Sequence, residues 1–295
     1  MLSILIPTYN YNVFQLVSEL NNQCEKAGIK YEIIVQDDAS KSELNIENEK
    51  INAISNCSFF INNENLGRGK NRNSLFEKSK FDFILFLDSD TMPVLDKFIT
   101  KYINASIDYK VVYGGLQYQE QKPEKPQLLR WVYGKKREAL TLNERIKNPN
   151  KTALTSNFLI DRTIFLYNKF DNEITKYGYE DYLFFLNLEK KDISVHHIEN
   201  TVIHLGLESS DEFLNKTKVA LENLNNLYSI GLLSFNDNRI LSIYTKLKKI
   251  KLVTFFSFIY ANFNFLFRKN LTSSNPSLFI FDVYKLSYFC KINLK

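Results

Sequence analysis

Residues 83–90, FILFLDSD, end an apolar run in two carboxylates one residue apart, Asp88 and Asp90. Five consecutive apolar side chains read as a strand buried on both faces. If the backbone loosens at its end, both acids can face one ligand. Two carboxylates held close repel, and a divalent cation removes that cost. Oxygen ligands suit Mg2+ or Mn2+, which keep open positions for phosphate oxygens. The competing reading is a strand-end turn with solvated acids, because Asp and Ser favour turns. The triplet alone leaves both open.

A second acidic pair, Glu180 and Asp181, follows Gly178 near a helix start. The helix dipole favours acids there. The same carboxylates could act as a general base towards an attacking hydroxyl. Three histidines, His196, His197 and His204, span nine positions. A zinc site would need them to converge with a further ligand. His204 ends an apolar TVI segment much as Asp90 ends its own, so it could complete a metal's coordination. A satisfied core position is the default for His196 and His197. Residues 63–74, NENLGRGKNRNS, resemble a phosphate loop only superficially. Lys70 is followed by Asn71 rather than Ser or Thr, and Glu64 stands where a glycine is required. The segment still offers Gly67 and Gly69 at a helix start, with Arg68, Lys70 and Arg72, which suits an anionic ligand. No GxGxxG follows the first strand, which removes the main support for a nicotinamide-dependent oxidoreductase.

Positioning these groups requires alternating elements. LSILIPTY reads as a short buried strand, and Val13, Leu16, Val17, Leu20 and Cys24 then recur at helical spacing. YEIIVQDDAS, CSFFINNE and FDFILFLDSD read as three further strands, with a helix over about 71–80. This alternation predicts an α/β fold with a mainly parallel sheet and helices on both faces. Ligands bind such sheets outside the carboxyl ends of the strands. Thr8, Tyr9 and Asn10, then Asp37 and Asp38, then Asp88 and Asp90 all sit at those ends, so three polar clusters are expected at one crevice. Further on, VVYGGLQY reads as one strand, and the polar, proline-containing 119–152 as a mobile excursion. TALTSNFLIDRTIF returns to the core. YGYEDYLFFLNLEKK predicts a glycine turn and a helix buried on Tyr182, Phe185, Leu186 and Leu188. DISVHHIENTVIHLG predicts two short strands, and 211–235 a helix.

At 295 residues, 44% apolar and 24% charged, the chain can form one large domain with a smaller addition. Three scattered cysteines give no metal spacing or disulfide framework and fit a reducing compartment. The opening MLSILIPTYN lacks a basic n-region, so no signal peptide is expected. The net charge of +5 hides an asymmetry. From position 238 onward there are ten Lys/Arg against one Asp, and before it 28 basic residues against 32 acidic ones. Residues 245–270 have a basic start, an aromatic middle and a basic exit. Their apolar core is interrupted by Thr254, Ser257, Asn262 and Asn264, and is shorter than the roughly 20 residues a spanning helix needs. Two readings stay open: an interfacial helix attracted to anionic lipid, or a cap packed on the body. Basic residues among aromatics could also track single-stranded nucleic acid, but that leaves the strand-end acids unexplained.

Taken in order, these segments resemble the family 2 glycosyltransferases of GT-A fold, over about residues 2–206. SILIPTYN resembles the family's opening strand and nucleotide-binding turn, which implies donor contacts at Pro7, Thr8, Tyr9 and Asn10. YEIIVQDDAS resembles its second strand, with Asp38 at the position that implies uracil contact; Ala39 stands where a glycine is usual. NLGRGKNRN resembles the segment whose arginine, here Arg72, lies near the donor, with Gly67 in the same loop. FILFLDSD matches the metal-binding triplet, implying that Asp90 binds the metal, that Asp88 serves ribose or metal-bound water, and that Ser89 lies at the donor. YGYEDY resembles the acidic motif, implying Asp181 as the base and Glu180 as a group orienting acceptor. VIHLG resembles the site of the late metal-ligating histidine, here His204. SNFLIDRTIF and NKFDNEI look like the acceptor-side wall, including Asn157 and Asp171.

The resemblance implies a GT-A type, Rossmann-like catalytic domain over 1–210, with the donor side at about 1–115 and the acceptor side at about 116–210. A helical, basic C-terminal region over 211–295 follows. The implied activity is inverting transfer of a hexosyl or N-acetylhexosaminyl group from a nucleotide sugar, UDP-linked, to a hydroxyl of a glycan or lipid-linked glycan. Mn2+ or Mg2+ would be the cofactor and cell-surface polysaccharide or glycolipid synthesis the setting. The location would be cytoplasmic, peripheral on the inner face of the cell membrane if the tail binds lipid. Nucleic acid is not an expected partner. A catalytically inactive sugar-binding relative is the alternative, against which intact Asp90, Asp181 and His204 argue.

Overall fold

The computed structural model describes residues 1–174 and 176–294. Among them are ten strands: β1 (Leu2–Thr8), β2 (Tyr31–Asp37), β3 (Cys57–Ile61), β4 (Phe83–Leu87), β5 (Thr91–Pro93), β6 (Val111–Tyr113), β7 (Leu116–Tyr118), β8 (Asn157–Asp161), β9 (His196–His197) and β10 (Val202–His204). Seven form one sheet in the order β3-β2-β1-β4-β8-β6-β9, and β5-β10-β7 form a small second sheet. β1, β2, β3 and β4 run parallel, whereas β8 is antiparallel to β4 and β6. The expected α/β architecture is therefore present, and its parallel half aligns the ends of β1, β2 and β4 on one edge.

Chain contacts divide the protein into two compact units. One comprises residues 1–119, 137–175 and 180–206; the other comprises 120–136, 176–179 and 207–295. The first unit is built on strands that read as unbroken apolar runs because both faces are covered. β1, β2 and β4 are almost wholly buried. Phe86, Phe158, Phe165, Phe170, Phe184 and Phe185 form the centre of its core. The helix Glu180–Glu189 lies within this cluster. It buries Leu183 and Phe184 as well as Phe185, Leu186 and Leu188, so the single apolar face expected from the sequence is too narrow. A helix that is apolar on most sides belongs inside a core.

Two further differences have local causes. VVYGGLQY is two strands in different sheets, because the chain turns at Gly114 and Gly115. Gly115 has φ +98°, and a Cβ at Gly114 would lie 2.3 Å from the Asn200 carbonyl. The 119–152 excursion is folded rather than loose: it holds the helices Leu128–Arg137, Leu142–Arg145 and Pro149–Thr152. Thr141 and Glu144 form a capping box, and Arg145 is fully buried. The Arg145 guanidinium donates to the Leu140 and Ile198 carbonyls and faces Glu199. The Ile198 and Glu199 contacts are long-range in sequence, so composition alone suggested a loop.

The second unit carries the helices Ser210–Ser229, Arg239–Lys249, Val253–Leu271 and Leu278–Ile292. The first ends earlier than the spacing predicts, because Gly231 adopts φ +79° and its N–H turns back to the Tyr228 carbonyl. Leu129, Leu214, Tyr260, Leu271, Phe281 and Tyr284 form its core. No single helix among the described residues is long and apolar enough to cross a membrane; Arg239–Lys249 and Val253–Leu271 meet at 115°.

Candidate functional site

The polar residues at the ends of β1, β2 and β4 emerge on the same edge of the parallel sheet, as the alternation predicts. At β1, Thr8 is buried, Tyr9 is exposed, and Asn10 turns the chain at φ +53°. At β2, Asp38 is buried and both its carboxylate oxygens accept hydrogen bonds from the loop that follows β3. Oδ1 accepts from the Leu66 N–H at 2.8 Å and the Asn62 amide at 2.9 Å, and Oδ2 from the Gly67 N–H at 2.9 Å. Asp38 thus fixes the residues that open the helix Arg68–Lys78. Gly67, at φ +80°, turns the chain into that helix three residues before the apolar spacing signals it. Ala39, beside Asp38, holds φ +57°, a left-handed conformation that strains an L residue. Ala39→Gly should therefore raise the free energy of unfolding by about 1 kcal/mol, read as a higher urea midpoint at unchanged m.

The helix opened by Gly67 aims Arg72 inward. Arg72 is almost fully buried, and its Nη2 donates to Asp88 Oδ1 at 2.6 Å. Its guanidinium also lies over the Phe170 ring at 5.7 Å. Asp88 is therefore engaged by arginine at the end of β4. The strand-end turn is real: the Thr91 N–H and hydroxyl both donate to the Asp88 carbonyl, closing residues 88–91. That turn points Asp90 away from Asp88's partner and towards the small sheet. There, β5 and β10 pair antiparallel with Thr91 opposite His204, which brings His204 Nε2 within 3.3 Å of Asp90 Oδ2. Burial raises the Asp90 pKa and the Asp88 charge adds to this, while His204 and Arg68 oppose it.

Among the described residues, no group of three or more His, Cys, Asp or Glu side chains gathers at one point. Asp90 and His204 form a pair. Their 3.3 Å separation is close to that of two neighbouring ligands of an octahedral ion, about 3 Å at the bond lengths Mg2+ demands. The carboxylate suits Mg2+ or Mn2+, and the imidazole adds a nitrogen ligand of the kind transition metals accept. The donor set fits an ion whose remaining positions are completed by phosphate oxygens and water. Gly206 belongs to this seat too: a Cβ there would lie 2.3 Å from Asp90 Oδ2.

Glu180 and Asp181 open the helix Glu180–Glu189, reached through Gly178 at φ +92° and Tyr179 at φ +67°. Glu180 is buried; its Oε1 lies 3.9 Å from Arg68 Nη1, and its Oε2 makes no hydrogen bond. Asp181 Oδ1 accepts the Tyr182 N–H at 2.7 Å. Burial, then the neighbouring Glu180 charge, push the Asp181 carboxyl up to about 6, against the pull of that N–H, Arg68 and Arg72. The Arg68 charge acts on both Asp90 and Asp181, and the charges of Asp88 and Asp181 both act on the buried Tyr113 phenol. The two acidic motifs, about ninety positions apart in sequence, thus share one electrostatic neighbourhood.

Asn157 and Asp171 lie beside these elements: Asn157 pairs with Leu87 at the end of β4, and a Cβ at Gly69 would lie 3.9 Å from the Asp171 carbonyl. Asn157 has no exposed surface: its Oδ1 accepts from the Tyr102 hydroxyl, and its amide donates to the Gly115 and Asn200 carbonyls. In this conformation it pins the corner between the two sheets and touches no acceptor, because every polar atom it owns is used inside. Asp171 is partly exposed, its Oδ1 accepting the Glu173 N–H. His197 is buried between Arg145 and the Pro149 carbonyl, a satisfied core position as expected, whereas His196 is partly exposed and stacks on the exposed Tyr109 at 3.4 Å. Burial pushes His197 down to about 4. Tyr11, whose phenol is raised by burial and by the Asp90 charge, was not anticipated. Neither was Gly206, since its role depends on a distance and not on a residue type.

The chain matches the family model described as glycosyl transferase family 2 over residues 3–166. It is 26% identical over 231 residues to an uncharacterized glycosyltransferase of Haemophilus influenzae, covering 76% of this chain and 86% of that protein. Among solved structures it is similar to the mannosyltransferase PcManGT of Pyrobaculum calidifontis, solved in complex with GDP-Man and Mn2+. The TM-score is 0.55 at 11% identity, over 77% of this chain and 64% of that one. The chain thus spans just under two thirds of that mannosyltransferase's length, and the likeness is one of fold. It also overlaps S. aureus TarS, solved with UDP, at TM-score 0.45 and 19% identity, over 99% of this chain and 90% of the other.

Proposed function

The chain belongs to glycosyl transferase family 2 and is a glycosyltransferase, and from that premise we propose that it moves a sugar, with inversion, from a nucleotide-sugar donor to a hydroxyl of a glycan or lipid-linked glycan. The observation that carries this reading is the shared neighbourhood of two acidic centres: the Asp90–His204 pair at one end and Glu180 with Asp181 at the other, with the Arg68 charge acting on both Asp90 and Asp181. A transferase needs a place for the departing diphosphate and a place for the attacking hydroxyl, and these two centres supply one each. The complex of the similar mannosyltransferase with GDP-Man supports a nucleotide-sugar donor.

In the proposed mechanism Asp90 and His204 would hold a divalent ion, which would supply positive charge against the diphosphate. Arg68 and Lys70, at the start of the helix Arg68–Lys78, add positive charge beside the donor. Arg72 holds Asp88 in place at the end of β4, where its second oxygen can meet the donor ribose. Asp181 takes the proton of the acceptor hydroxyl as that oxygen bonds to the anomeric carbon. The bond to the diphosphate oxygen breaks on the opposite face, so configuration inverts in one displacement. Glu180 orients the acceptor through the oxygen that no protein group engages. A sugar with oxocarbenium character needs charge stabilisation more than a covalent partner, so no nucleophilic side chain is required.

UDP is the proposed nucleotide, and synthesis of cell-surface polysaccharide or glycolipid the proposed setting. A panel of UDP- and GDP-linked sugars, incubated with the full chain with and without Mn2+ and assayed for nucleoside diphosphate release, tests the reading. At least one UDP-sugar should be hydrolysed in a metal-dependent way. Release from GDP-sugars alone would overturn the choice of base, and metal-independent release would remove the proposed role of Asp90 and His204.

A further inference from the structure

The helix Val253–Leu271 is built with its aromatic residues on two opposite faces. One face, with Ser257, Tyr260 and Leu271, is buried in the second unit's core. The other carries Phe255, Phe258, Asn262, Phe265, Leu266 and Lys269. At 3.6 residues per turn these six fall within an arc of about 100° on the side away from that core. They are exposed: Phe258 is 59% accessible and Phe265 74%. Single exposed apolar residues are ordinary, but four large ones on one helical stripe are not. The stripe is bordered by charge of one sign. Lys246, Lys248, Lys249 and Lys251 precede the helix on exposed positions, and Lys269 lies at its far end. From position 238 onward the one acidic residue is Asp282, which pairs with Lys285.

We infer that this face docks on a lipid bilayer bearing anionic headgroups, with the helix lying in the plane of the interface. Charge complementarity selects that occupant. Phenylalanine and leucine enter the boundary between headgroups and acyl chains, and lysines flanking an apolar stripe keep their ammonium groups among anionic headgroups. Asn262, in the middle of the stripe, donates its amide to the Phe258 carbonyl one turn back, which lowers the cost of placing that donor in a poorly hydrated setting. The interruptions that rule out a spanning helix are no obstacle to one lying flat.

The test is flotation of the full chain with vesicles of phosphatidylcholine, with and without phosphatidylglycerol. The wild type should float with the anionic vesicles at least about 10-fold better than with the neutral ones, and salt should weaken it. Phe258→Ser/Phe265→Ser should abolish flotation while thermal melting and donor hydrolysis stay unchanged. Lys248→Glu/Lys249→Glu should remove the preference for anionic vesicles. A wild type that never floats, or a double phenylalanine variant that floats normally, overturns the inference. So does concentration-dependent self-association abolished by the phenylalanine changes, which would assign the face to a second copy. Salt-sensitive oligonucleotide binding lost in the lysine variant, with vesicle binding intact, would reassign the charge to nucleic acid.

Discussion

Asp181→Asn is expected to lower turnover by about 10²–10⁴-fold while donor affinity stays within about twofold. The amide keeps the shape of the carboxylate but cannot take a proton. Donor binding is assigned to residues on β1, β2, β4 and the helix Arg68–Lys78, so calorimetry with the nucleotide sugar should be nearly unchanged. The carboxyl titrates near 6 because burial and the Glu180 charge both disfavour its ionised form. Wild-type kcat should therefore fall below about pH 6 as the base becomes protonated, and this limb should vanish in the residual activity of the variant. The same shift has a stability consequence whose sign is opposite to that of an ordinary paired aspartate. A folded-state pKa above the unfolded value means the fold prefers the protonated group, so its contribution is present at low pH and lost as pH rises through about 6. Asp181→Asn should accordingly be more stable than wild type at pH 8, by on the order of 2–3 kcal/mol, with the difference disappearing near pH 4. A variant that is slow and also unstable at pH 8 would mean that Asp181 acts structurally.

Asp90→Ala is the second large effect. Removing the carboxylate leaves His204 alone beside Gly206, and one imidazole does not hold Mn2+ or Mg2+ at a site open to water. Donor affinity in the presence of Mn2+ should fall by at least about 100-fold, to the level measured for wild type with chelator. His204→Ala should give a smaller loss, because the carboxylate carries the charge. Asp88→Asn should behave differently from both. It weakens the hold on a buried guanidinium, so it should lower thermal stability as well as donor affinity, since breaking one side of a buried pair leaves a charge uncompensated. Equal donor affinity with and without Mn2+ in Asp90→Ala and wild type alike would separate the metal from the fold.

The sheet and the placement of its strand ends could be read in the sequence because both follow from local pattern. β1, β2 and β4 are mainly apolar, polar residues (Thr8, Tyr9 and Asn10, then Asp37 and Asp38, then Asp88 and Asp90) come at their ends, and a parallel sheet places those ends on one edge. Asp181 and His204 came from order along the chain, with glycines marking the turns before one and after the other. What was not legible depends on contacts between distant segments. Arg145 looked like part of a mobile excursion and is among the most buried side chains; its partners come from residues 140 and 198. The family resemblance implied a wall position for Asn157, yet its partners Tyr102, Gly115 and Asn200 use its whole amide. Asp88 and Asp90 were indistinguishable by type. Arg72 and His204 separate them, and the reach of those two side chains is a property of the folded chain.

The corner at Gly114 constrains how this protein could change over time. A side chain there would meet the Asn200 carbonyl, the Tyr102 hydroxyl and the Asn157 amide at 2.3–2.6 Å, and two of these are already tied to one another. Any side chain at 114 would clash with all three, so the link from the large sheet to β7, the strand that pairs with His204's strand β10, leaves almost no room for substitution. Tyr9, by contrast, projects from the surface and can be exchanged with little cost to the fold. Substitutions would therefore be absorbed far more easily at that surface than at the corner. The spacing of Asp90 and His204 would pass unaltered through such changes, as the inherited part of the machine.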